Sequence, residues 1–265
     1  MYAILIRFYE ELNDFLPEEM RKRDVEWNFE NRRSVKDLIE SFGVPHTEVD
    51  LILVNGVSVD FSYLVQDGDR ISVYPVFETF AIADATRLRP EPLRDPRFVC
   101  DVHLGKLARR LRLLGFDVLL AEELDDGELV DLAEMAKRIL LTRDRGLLMR
   151  KRLTRGILIR HTEAAEQAEE ILDRLDLRKT CAPFTRCTAC NGLLQTVNKG
   201  EDGFAEIRDK IPEKVLGWRQ EYSVCTSCGK VYWKGSHYEK LAEMVERFVA
   251  GGGRSLSDSA TRNVT

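Results

Sequence analysis

The chain has 265 residues, of which 44% are hydrophobic and 32% are charged, and its formal net charge is -5. This composition is typical of folded domains and excludes collagen-like and wholly disordered chains. No stretch approaches the roughly 20 apolar residues of a membrane helix, so we expect no membrane partner. The first residues lack the basic segment and cleavage site of a secretory signal, so we expect a cytoplasmic protein. The length predicts two or three domains.

The excess of acidic residues lies in the first third of the chain. Residues 1–80 contain 8 Lys and Arg against 16 Asp and Glu, whereas residues 81–180 contain 20 against 19 and residues 181–265 contain 12 against 10. Phosphate groups are bound by clustered Lys and Arg. A nucleic acid is therefore expected to contact the chain beyond its first third.

Residues 1–80 have the pattern of a small domain built mainly of strands. Two segments alternate apolar and polar residues, which is typical of half-buried strands. Asn55-Gly56 predicts a tight hairpin turn, because these residues accept the positive φ values that such a turn requires. In chain order we predict strands at 4–9 and 25–29, a helix from the N-cap Ser34 to Gly43, hairpin strands at 51–54 and 57–59, and a strand at 70–74.

One stretch of this domain, LILVNGVSVDFSYLVQDGDRISVYPVF, resembles the ThiS/MoaD-type sulfur carriers, which have the ubiquitin-like β-grasp fold. Those carriers act through a free C-terminal Gly-Gly, whereas this chain continues through Phe77, Glu78 and Thr79 without that pair. The resemblance therefore implies a β-grasp fold for residues 1–80 without the transfer activity. We expect this domain to bind a protein partner.

The next part of the chain changes its pattern. A charged stretch with Pro90, Pro92 and Pro96 predicts a linker over 81–96. From Phe98 onward, short apolar runs alternate with helical segments, which predicts βαβ units and a parallel sheet over 97–180. The predicted strands are 98–100, 116–120, 139–141 and 157–159, and the predicted helices are 103–114, 128–137, 146–153 and 163–175.

Three acidic residues follow strands of this predicted sheet. Asp101 ends the first strand, Asp126 follows the second after a short loop, and Asp144 follows the third. Parallel strands end at a common edge, so these carboxylates are predicted to converge there. A divalent cation relieves the repulsion between them, and oxygen ligands favour Mg²⁺ or Mn²⁺. The alternative is that Asp126 and Asp144 only cap the helices that follow them.

Basic residues flank the same predicted edge. Such charges often only solvate the outer face of a helix. Their concentration beside the acids instead favours contact with a phosphate backbone. The candidates are Lys106, Arg109, Arg110 and Arg112 in the helix after Asp101, and Arg143, Arg145, Arg150, Lys151, Arg152 and Arg155 around Asp144.

Four of the six cysteines form two C-x-x-C pairs, Cys187 with Cys190 and Cys225 with Cys228. Two thiolates at this spacing bind one ion from a tight turn, and four thiolates close a tetrahedral sphere. We therefore predict a structural zinc site. A redox pair is the alternative, but it does not explain two pairs within one segment.

The segment after the second pair contains Tyr232, Trp233 and His237 beside lysines. Aromatic residues interleaved with basic ones are typical of surfaces on which single-stranded bases stack. The alternative is that the two aromatic rings form the small core of the zinc domain. We predict this domain over 181–250, including a helix at about 237–248, and a disordered tail over 251–265.

Several longer stretches resemble one known family. FVCDVHLGKLARRLRLLGFDVLL, DDGELVDLA and ILLTRDRGLL are similar to the PIN-like ribonuclease family named after the C-terminal domain of the mut-seven exonuclease. RCTACNGLL and CTSCGKVYWKGSHYEKL are similar to the zinc ribbon appended to that domain. The resemblance spans about residues 97–240, and the family sometimes carries an N-terminal ubiquitin-like domain.

This resemblance implies roles for the acidic residues. It matches Asp101, Asp126 and Asp144 to catalytic acids that bind Mg²⁺ or Mn²⁺, and Asp144 lies in a T-x-D element with Thr142. It implies hydrolysis of an RNA phosphodiester bond by metal-activated water. Candidates for a fourth acid are Asp125, Glu128 and Glu163.

We therefore predict an α/β protein in which a PIN-like parallel sheet with flanking helices is preceded by a ubiquitin-like β-grasp domain and followed by a zinc ribbon. The predicted function is that of a metal-dependent endoribonuclease, with RNA as partner. The alternative is a non-catalytic RNA-binding or adaptor protein with the same fold. A phosphatase of the haloacid dehalogenase type needs an Asp two residues after Asp101, where this chain has His103.

Overall fold

The computed structural model describes residues 1–75, 88, 96–236 and 238–251. The linker predicted over 81–96 and the tail predicted over 251–265 lie outside these residues, except for residues 88, 96 and 251. The chain forms two compact units, Met1–His103 with Ala121–Arg160 and Leu104–Leu120 with His161–Thr265. In the part of the chain that is described, no helix is long and apolar enough to cross a membrane.

The N-terminal part of the first unit is a five-stranded sheet that packs against a helix. The sheet has the order β2-β1-β5-β3-β4, in which β1 and β5 are parallel and the other neighbouring pairs are antiparallel. This arrangement agrees with the predicted β-grasp fold. Its elements are β1 (Tyr2–Phe8), β2 (Val25–Phe29), α1 (Val35–Ser41), β3 (Val49–Val54), β4 (Val57–Val59) and β5 (Arg70–Pro75).

Local signals in the sequence position these elements. Ser34 caps α1, since its Oγ accepts the backbone N–H of Asp37 at 3.1 Å. The turn between β3 and β4 has φ values of 52° at Asn55 and 84° at Gly56, as the predicted hairpin requires. The sheet and α1 enclose a core of fully buried side chains that includes Ile6, Leu38, Ile52 and Val73.

The middle of the chain alternates strands and helices as predicted. Strands β6, β8 and β9 are parallel, with β8 in the middle, and helices α3 and α4 contact them. The prediction of a parallel sheet with flanking helices is thus confirmed. The elements are β6 (Phe98–Cys100), α2 (Gly105–Leu113), β7 (Val118–Leu120), α3 (Asp126–Met135), β8 (Ile139–Thr142), α4 (Arg145–Leu148), β9 (Gly156–Leu158) and α5 (Ala164–Arg174).

The segment after β8 is less helical than its apolar spacing suggests. We predicted a helix over 146–153, but α4 ends at Leu148. The chain then turns, and Leu153 is buried in this turn with its N–H donated to the carbonyl of Arg150 at 2.9 Å. The spacing of the leucines predicted a longer helix because Leu153 is buried. Burial does not require a helical backbone, and here the buried leucine lies in a turn.

The second unit contains the cysteine-rich segment. Strands β10, β11 and β12 form an antiparallel sheet in that order, beside a small core of Ile207, Ile211, Val215 and Tyr222. In the same unit, α2 packs against α5. The remaining elements are β10 (Leu194–Asn198), α6 (Phe204–Ile207), α7 (Glu213–Leu216), β11 (Glu221–Cys225), β12 (Val231–Tyr232) and α8 (Tyr238–Ala250).

Gly115 ends helix α2 at a place where only glycine fits. Its φ is +98°, and a Cβ built there would lie 2.2 Å from the carbonyl oxygen of Ala182. The backbone N–H of Phe116 bonds back to the carbonyl of Leu111 at 3.0 Å. Strand β7 therefore begins at Val118, two residues later than predicted.

Candidate active site and metal centre

A buried threonine connects the ends of two adjacent parallel strands. Oγ1 of Thr142, the last residue of β8, donates to Oδ2 of Asp101 at 2.5 Å. The same Oγ1 accepts the backbone N–H of Asp144 at 3.0 Å. Asp101 directly follows β6, so Thr142 links the two predicted acids that come from these strands. Thr142 is fully buried, whereas Asp101 is half-buried.

Both acids also shape the backbone beside them. Oδ1 of Asp101 accepts the N–H of His103 at 2.9 Å, which supports a short 3-10 turn and delays the start of α2. Oδ1 of Asp144 accepts the N–H groups of Gly146 at 2.7 Å and Leu147 at 3.3 Å, so Asp144 is the N-cap of α4. The cap that we considered for Asp144 is therefore present. It uses Oδ1 and does not prevent Oδ2 from binding a ligand.

The third predicted acid has a different environment. Asp126 is the first residue of α3, and its Oδ2 lies 3.0 Å from a guanidinium nitrogen of Arg150. The N-cap of α3 is Asp125, which accepts the N–H groups of Gly127 and Glu128 while Glu128 bonds back to the N–H of Asp125. The alternative that Asp126 caps α3 is therefore wrong, because Asp125 is the N-cap of this helix.

The fit of these acids to a divalent ion is incomplete. Asp101 and Asp144 are connected through Thr142, whereas Asp126 pairs with Arg150. Among the residues that the structure describes, the three acids do not form a group whose ligand atoms gather around one point. Thr142 therefore joins the Asp101 carboxylate to the backbone of Asp144, and the Asp126 carboxylate forms an exposed ion pair with Arg150. Glu163 precedes α5, in the second unit.

The predicted RNA-binding cations are divided between the two units. In the first unit, Arg143 and Lys151 are exposed, Arg150 pairs with Asp126, and the guanidinium of Arg145 lies 5.2 Å from the ring centre of Phe15. In the second unit, Lys106 and Arg109 are exposed, while Arg110 is directed at the sulfur of Met244. The remaining candidates are Arg112, Arg152, which pairs with Asp131, and Arg155.

Arg112 does not belong to the exposed basic face on which we placed it. It is buried, and its guanidinium donates to the carbonyls of Val118 at 2.9 Å, Ala189 at 2.9 Å and Thr188 at 3.2 Å. It therefore supports the turn between Cys187 and Cys190. The sequence gives no sign of this role, because Arg112 follows Leu111 within a run of basic residues.

The four cysteines of the two pairs gather closely. The sulfur atoms of Cys187 and Cys228 are 3.7 Å apart, those of Cys190 and Cys225 are 3.4 Å apart, and all four lie within 4.8 Å of one another. A tetrahedral zinc with Zn–S bonds of about 2.3 Å needs sulfur atoms about 3.8 Å apart. The residues therefore fit a closed four-cysteine zinc site.

Hydrogen-bond donors favour the thiolate form of two of the four cysteines, Cys187 and Cys225. Burial alone would raise the pKa of Cys187, but hydrogen bonds from the Tyr232 hydroxyl and from the N–H groups of Cys190 and Ala189 lower it to about 6. Burial likewise opposes ionisation of Cys225, but N–H groups of Cys228 and Ser227 lower its pKa. These donors stabilise negative sulfur, which is the form that binds zinc.

The glycine after the first pair makes room for the metal site. A Cβ built on Gly192 would lie 2.8 Å from Sγ of Cys225 and 2.5 Å from Oγ of Ser227. The first turn therefore approaches the second so closely that a larger residue would displace a ligand. The other two cysteines are buried Cys100 and half-buried Cys181, neither of which belongs to the cluster.

Two of the predicted aromatic and basic residues after the second pair contact the cysteine cluster or the small core beside it. The hydroxyl of Tyr232 lies 3.1 Å from Sγ of Cys187, and Trp233 packs against the small core. His237 lies outside the described residues. We did not consider Trp218, whose side chain is 53% exposed and stacks with the guanidinium of Arg219 at 4.1 Å. The sequence feature that could have identified it is the adjacent pair Trp218-Arg219, in a segment without apolar periodicity.

Models of protein families match both parts of the chain. The model described as Mut7-C RNAse domain matches residues 96–245, and the model described as Mut7-C ubiquitin matches residues 1–81. No curated protein and no solved structure matches the chain. The family matches confirm the resemblance found in the sequence, including the combination of a ribonuclease-type domain with a ubiquitin-like one.

Proposed function

Because the chain belongs to the Mut7-C RNAse family, we propose that it is a metal-dependent endoribonuclease that hydrolyses RNA phosphodiester bonds. The observation that carries this proposal is the connection of Asp101 to Asp144 through the buried hydroxyl of Thr142. It orients the carboxylate of Asp101 and bonds to the backbone of Asp144 at the ends of adjacent parallel strands, where open α/β sheets bind ligands.

The chain's own residues have separate tasks in the proposed reaction. Asp101 and Asp144 would hold Mg²⁺ or Mn²⁺, with Asp126 as a third ligand once RNA phosphate competes for Arg150. Thr142 orients the Asp101 carboxylate by donating to it. The chemistry supplied by a bound ion is activation of the attacking water and neutralisation of the leaving oxygen.

Exposed cations would hold the RNA backbone. Arg143 and Lys151 are exposed in the same unit as the three acids. Lys106 and Arg109 of α2 are exposed in the second unit. Binding through such contacts releases counterions, so RNA affinity is expected to fall as the salt concentration rises.

We further propose zinc as the ion of the four cysteines and the cytoplasm, where thiols stay reduced, as the compartment. We propose domain limits of 1–80 for the ubiquitin-like domain, 97–180 for the PIN-like domain and 181–250 for the zinc ribbon with its helix. The zinc would be structural, since four cysteines leave no open coordination position.

Cleavage of labelled single-stranded RNA by the full chain tests this function. We expect endonucleolytic products with added Mg²⁺ or Mn²⁺ and none without an added divalent ion, since the proposed reaction requires the ion. A matched single-stranded DNA identifies the preferred nucleic acid. Absence of RNA cleavage with either ion would contradict the nuclease assignment.

Thr142→Val is expected to lower the rate of RNA cleavage by about 10- to 100-fold, because it removes the donor that orients Asp101. Valine has nearly the shape of threonine, so the variant tests the hydroxyl and not the packing. Thr142→Ser keeps the hydroxyl and should retain most of the activity. The measurement is the initial cleavage rate at saturating metal, together with the melting temperature of each variant.

A non-catalytic RNA-binding protein is the second candidate function. The pairing of Asp126 with Arg150 at 3.0 Å favours it, since a carboxylate that is paired with an arginine is less available to a metal ion. In that case, the chain would bind RNA equally well with and without added Mg²⁺. Binding without any metal-dependent cleavage separates this function from the first.

Trp218→Ala is expected to weaken binding of single-stranded RNA by about ten-fold, within the roughly 1–3 kcal/mol that one stacked base contributes. Trp218 is half-exposed, so its removal should leave the fold intact. Trp218→Phe keeps a ring and serves as the control. Fluorescence anisotropy without added Mg²⁺ or Mn²⁺ measures the affinity without cleavage. Equal affinity of the Ala and wild-type chains would exclude Trp218 as a stacking residue.

A further inference from the structure

The ubiquitin-like part of the chain covers the outer edge of the parallel strands. Strand β9 bonds to β8 on one side. On its other side, the backbone N–H of Leu158 is donated to Oε1 of Glu48 at 2.7 Å. Glu48 is fully buried, and Leu158 packs against the core of the ubiquitin-like sheet. Open strand edges bind other chains, so Glu48 closes this edge within the molecule.

A histidine of the same loop makes a second connection. Nδ1 of His46 lies 2.7 Å from Oε1 of Glu40, and Nε2 lies 2.8 Å from the carbonyl oxygen of Leu153. Both partners are acceptors, so the ring donates to both of them when both nitrogens carry a proton. His46 is buried, which makes these bonds hard to replace with water. The loop after α1 is thus bonded to the turn after α4.

An aromatic ring of the ubiquitin-like part supports two arginines. The guanidinium groups of Arg145 and Arg160 lie 5.2 Å and 5.4 Å from the ring centre of Phe15. Gly43, which has a φ of +82°, leaves space for Arg145, since a Cβ there would lie 3.1 Å from its Nη1. Arg160 also contacts Asp14 at 3.4 Å. Arg145 directly follows Asp144 and is the first residue of α4.

We propose that the ubiquitin-like domain acts on its own chain, and that Phe15 positions Arg145 beside Asp144 to contact the RNA backbone. This inference rests on the proposed function, and it names Phe15 as a positioning residue. The domain has 8 Lys and Arg against 16 Asp and Glu over residues 1–80, so it is itself unsuited to hold phosphate. Its contribution to RNA binding therefore passes through the arginine that it supports.

The test compares Phe15→Leu with Arg145→Ala and with the double variant in the full chain. Leucine keeps apolar volume in the core but removes the π face that attracts the guanidinium. We expect Phe15→Leu to weaken binding of single-stranded RNA by about 3- to 10-fold without added Mg²⁺ or Mn²⁺, as measured by anisotropy. In a chain that already carries Arg145→Ala, Phe15→Leu should not weaken RNA binding further, because Phe15 is proposed to act through Arg145.

Phe15→Tyr keeps the ring and should bind RNA as tightly as the wild-type chain. In cleavage assays, Phe15→Leu should raise KM with kcat unchanged, since a loss of folded protein would instead lower kcat. Equal losses from Phe15→Leu in the wild-type and Arg145→Ala backgrounds would overturn the proposal. Binding is measured without added Mg²⁺ or Mn²⁺ and does not depend on cleavage. If the nuclease assignment fails, cleavage is therefore missing while the coupling between Phe15 and Arg145 in RNA binding remains.

A second variant tests the closed strand edge without RNA. Glu48→Leu removes the acceptor of the Leu158 N–H, so amide hydrogen exchange of Leu158 should become at least about ten-fold faster than in the wild-type chain. Glu40→Gln is the control, because it alters the bond to His46 and leaves Glu48 in place. Unchanged exchange at Leu158 in the Glu48 variant would show that this carboxylate does not protect the edge of β9. It would also overturn the proposal that the ubiquitin-like domain acts on its own chain.

Discussion

Asp144→Asn is expected to lower Mn²⁺-supported cleavage of single-stranded RNA by roughly a thousand-fold, which corresponds to about 4 kcal/mol. Asparagine caps a helix as well as aspartate does, so α4 should keep its N-cap. The substitution therefore removes the charge that binds the ion and preserves the backbone bonds to Gly146 and Leu147. The measurement is the initial rate across a range of Mn²⁺ concentrations, with the melting temperature as a check on folding.

The matched control for this change is Asp60→Asn. Oδ1 of Asp60 accepts the backbone N–H of Ser62 at 2.8 Å. Oδ1 of Asp144 accepts the backbone N–H of Gly146 in the same way, so in both cases the donor lies two residues after the acid. The control thus repeats the same chemical change in the same local motif of the ubiquitin-like domain. Its cleavage rate should equal that of the wild-type chain. Full activity of Asp144→Asn would remove Asp144 from the proposed site.

Asp126→Asn separates the two interpretations of the third acid. We expect cleavage to fall with this variant too, because Asp126 is the proposed third ligand once phosphate competes for Arg150. Both side chains of the pair are about half exposed, so the ion pair itself contributes only about 0–1 kcal/mol to stability. Cleavage at the wild-type rate would assign Asp126 to that surface pair alone.

Removal of the proposed zinc should have the largest effect on folding. Structural zinc contributes about 10 kcal/mol or more to small domains of this type. Cys228→Ser is therefore expected to abolish binding of one zinc per chain and to unfold the sheet of β10, β11 and β12. The small core of this unit, built around Ile207 and Tyr222, is too limited to hold the strands without the metal.

Zinc content by atomic absorption and the NMR spectrum of the full chain measure this result. Cys181→Ser is the control, since Cys181 is half-buried outside the cluster and burial raises the pKa of its thiol. That variant should keep its zinc and its spectrum. If Cys228→Ser kept both, the four cysteines would not form a structural metal site.

Structural features that depend on a few neighbouring residues could be predicted from the sequence. The Asn55-Gly56 turn and the Ser34 cap follow from backbone conformation and from one hydrogen bond within the same segment. The spacing of each cysteine pair likewise fixes a local turn. The family resemblance carried the combination of domains, which the family models confirm.

The carboxylate edge could be predicted only in part. The positions of Asp101 and Asp144 after parallel strands follow from strand periodicity, and Thr142 links them as adjacent strands allow. The position of Asp126 could not be predicted in this way, because a loop separates it from the strand before it and the direction of its side chain does not follow from strand periodicity. Its pairing with Arg150 depends on how α3 and the turn after α4 pack.

By itself, the sequence determined the order of the strands and helices, the local caps and turns, and the residues available as ligands, since each depends on short-range backbone preferences and on side-chain chemistry. Only the tertiary structure decided which partners these residues have. Glu48 bonds to Leu158 across 110 positions, Phe15 supports Arg145, and Arg112 is buried against the first cysteine turn. Such partners are set by the packing of distant segments, and no local pattern in the sequence records them.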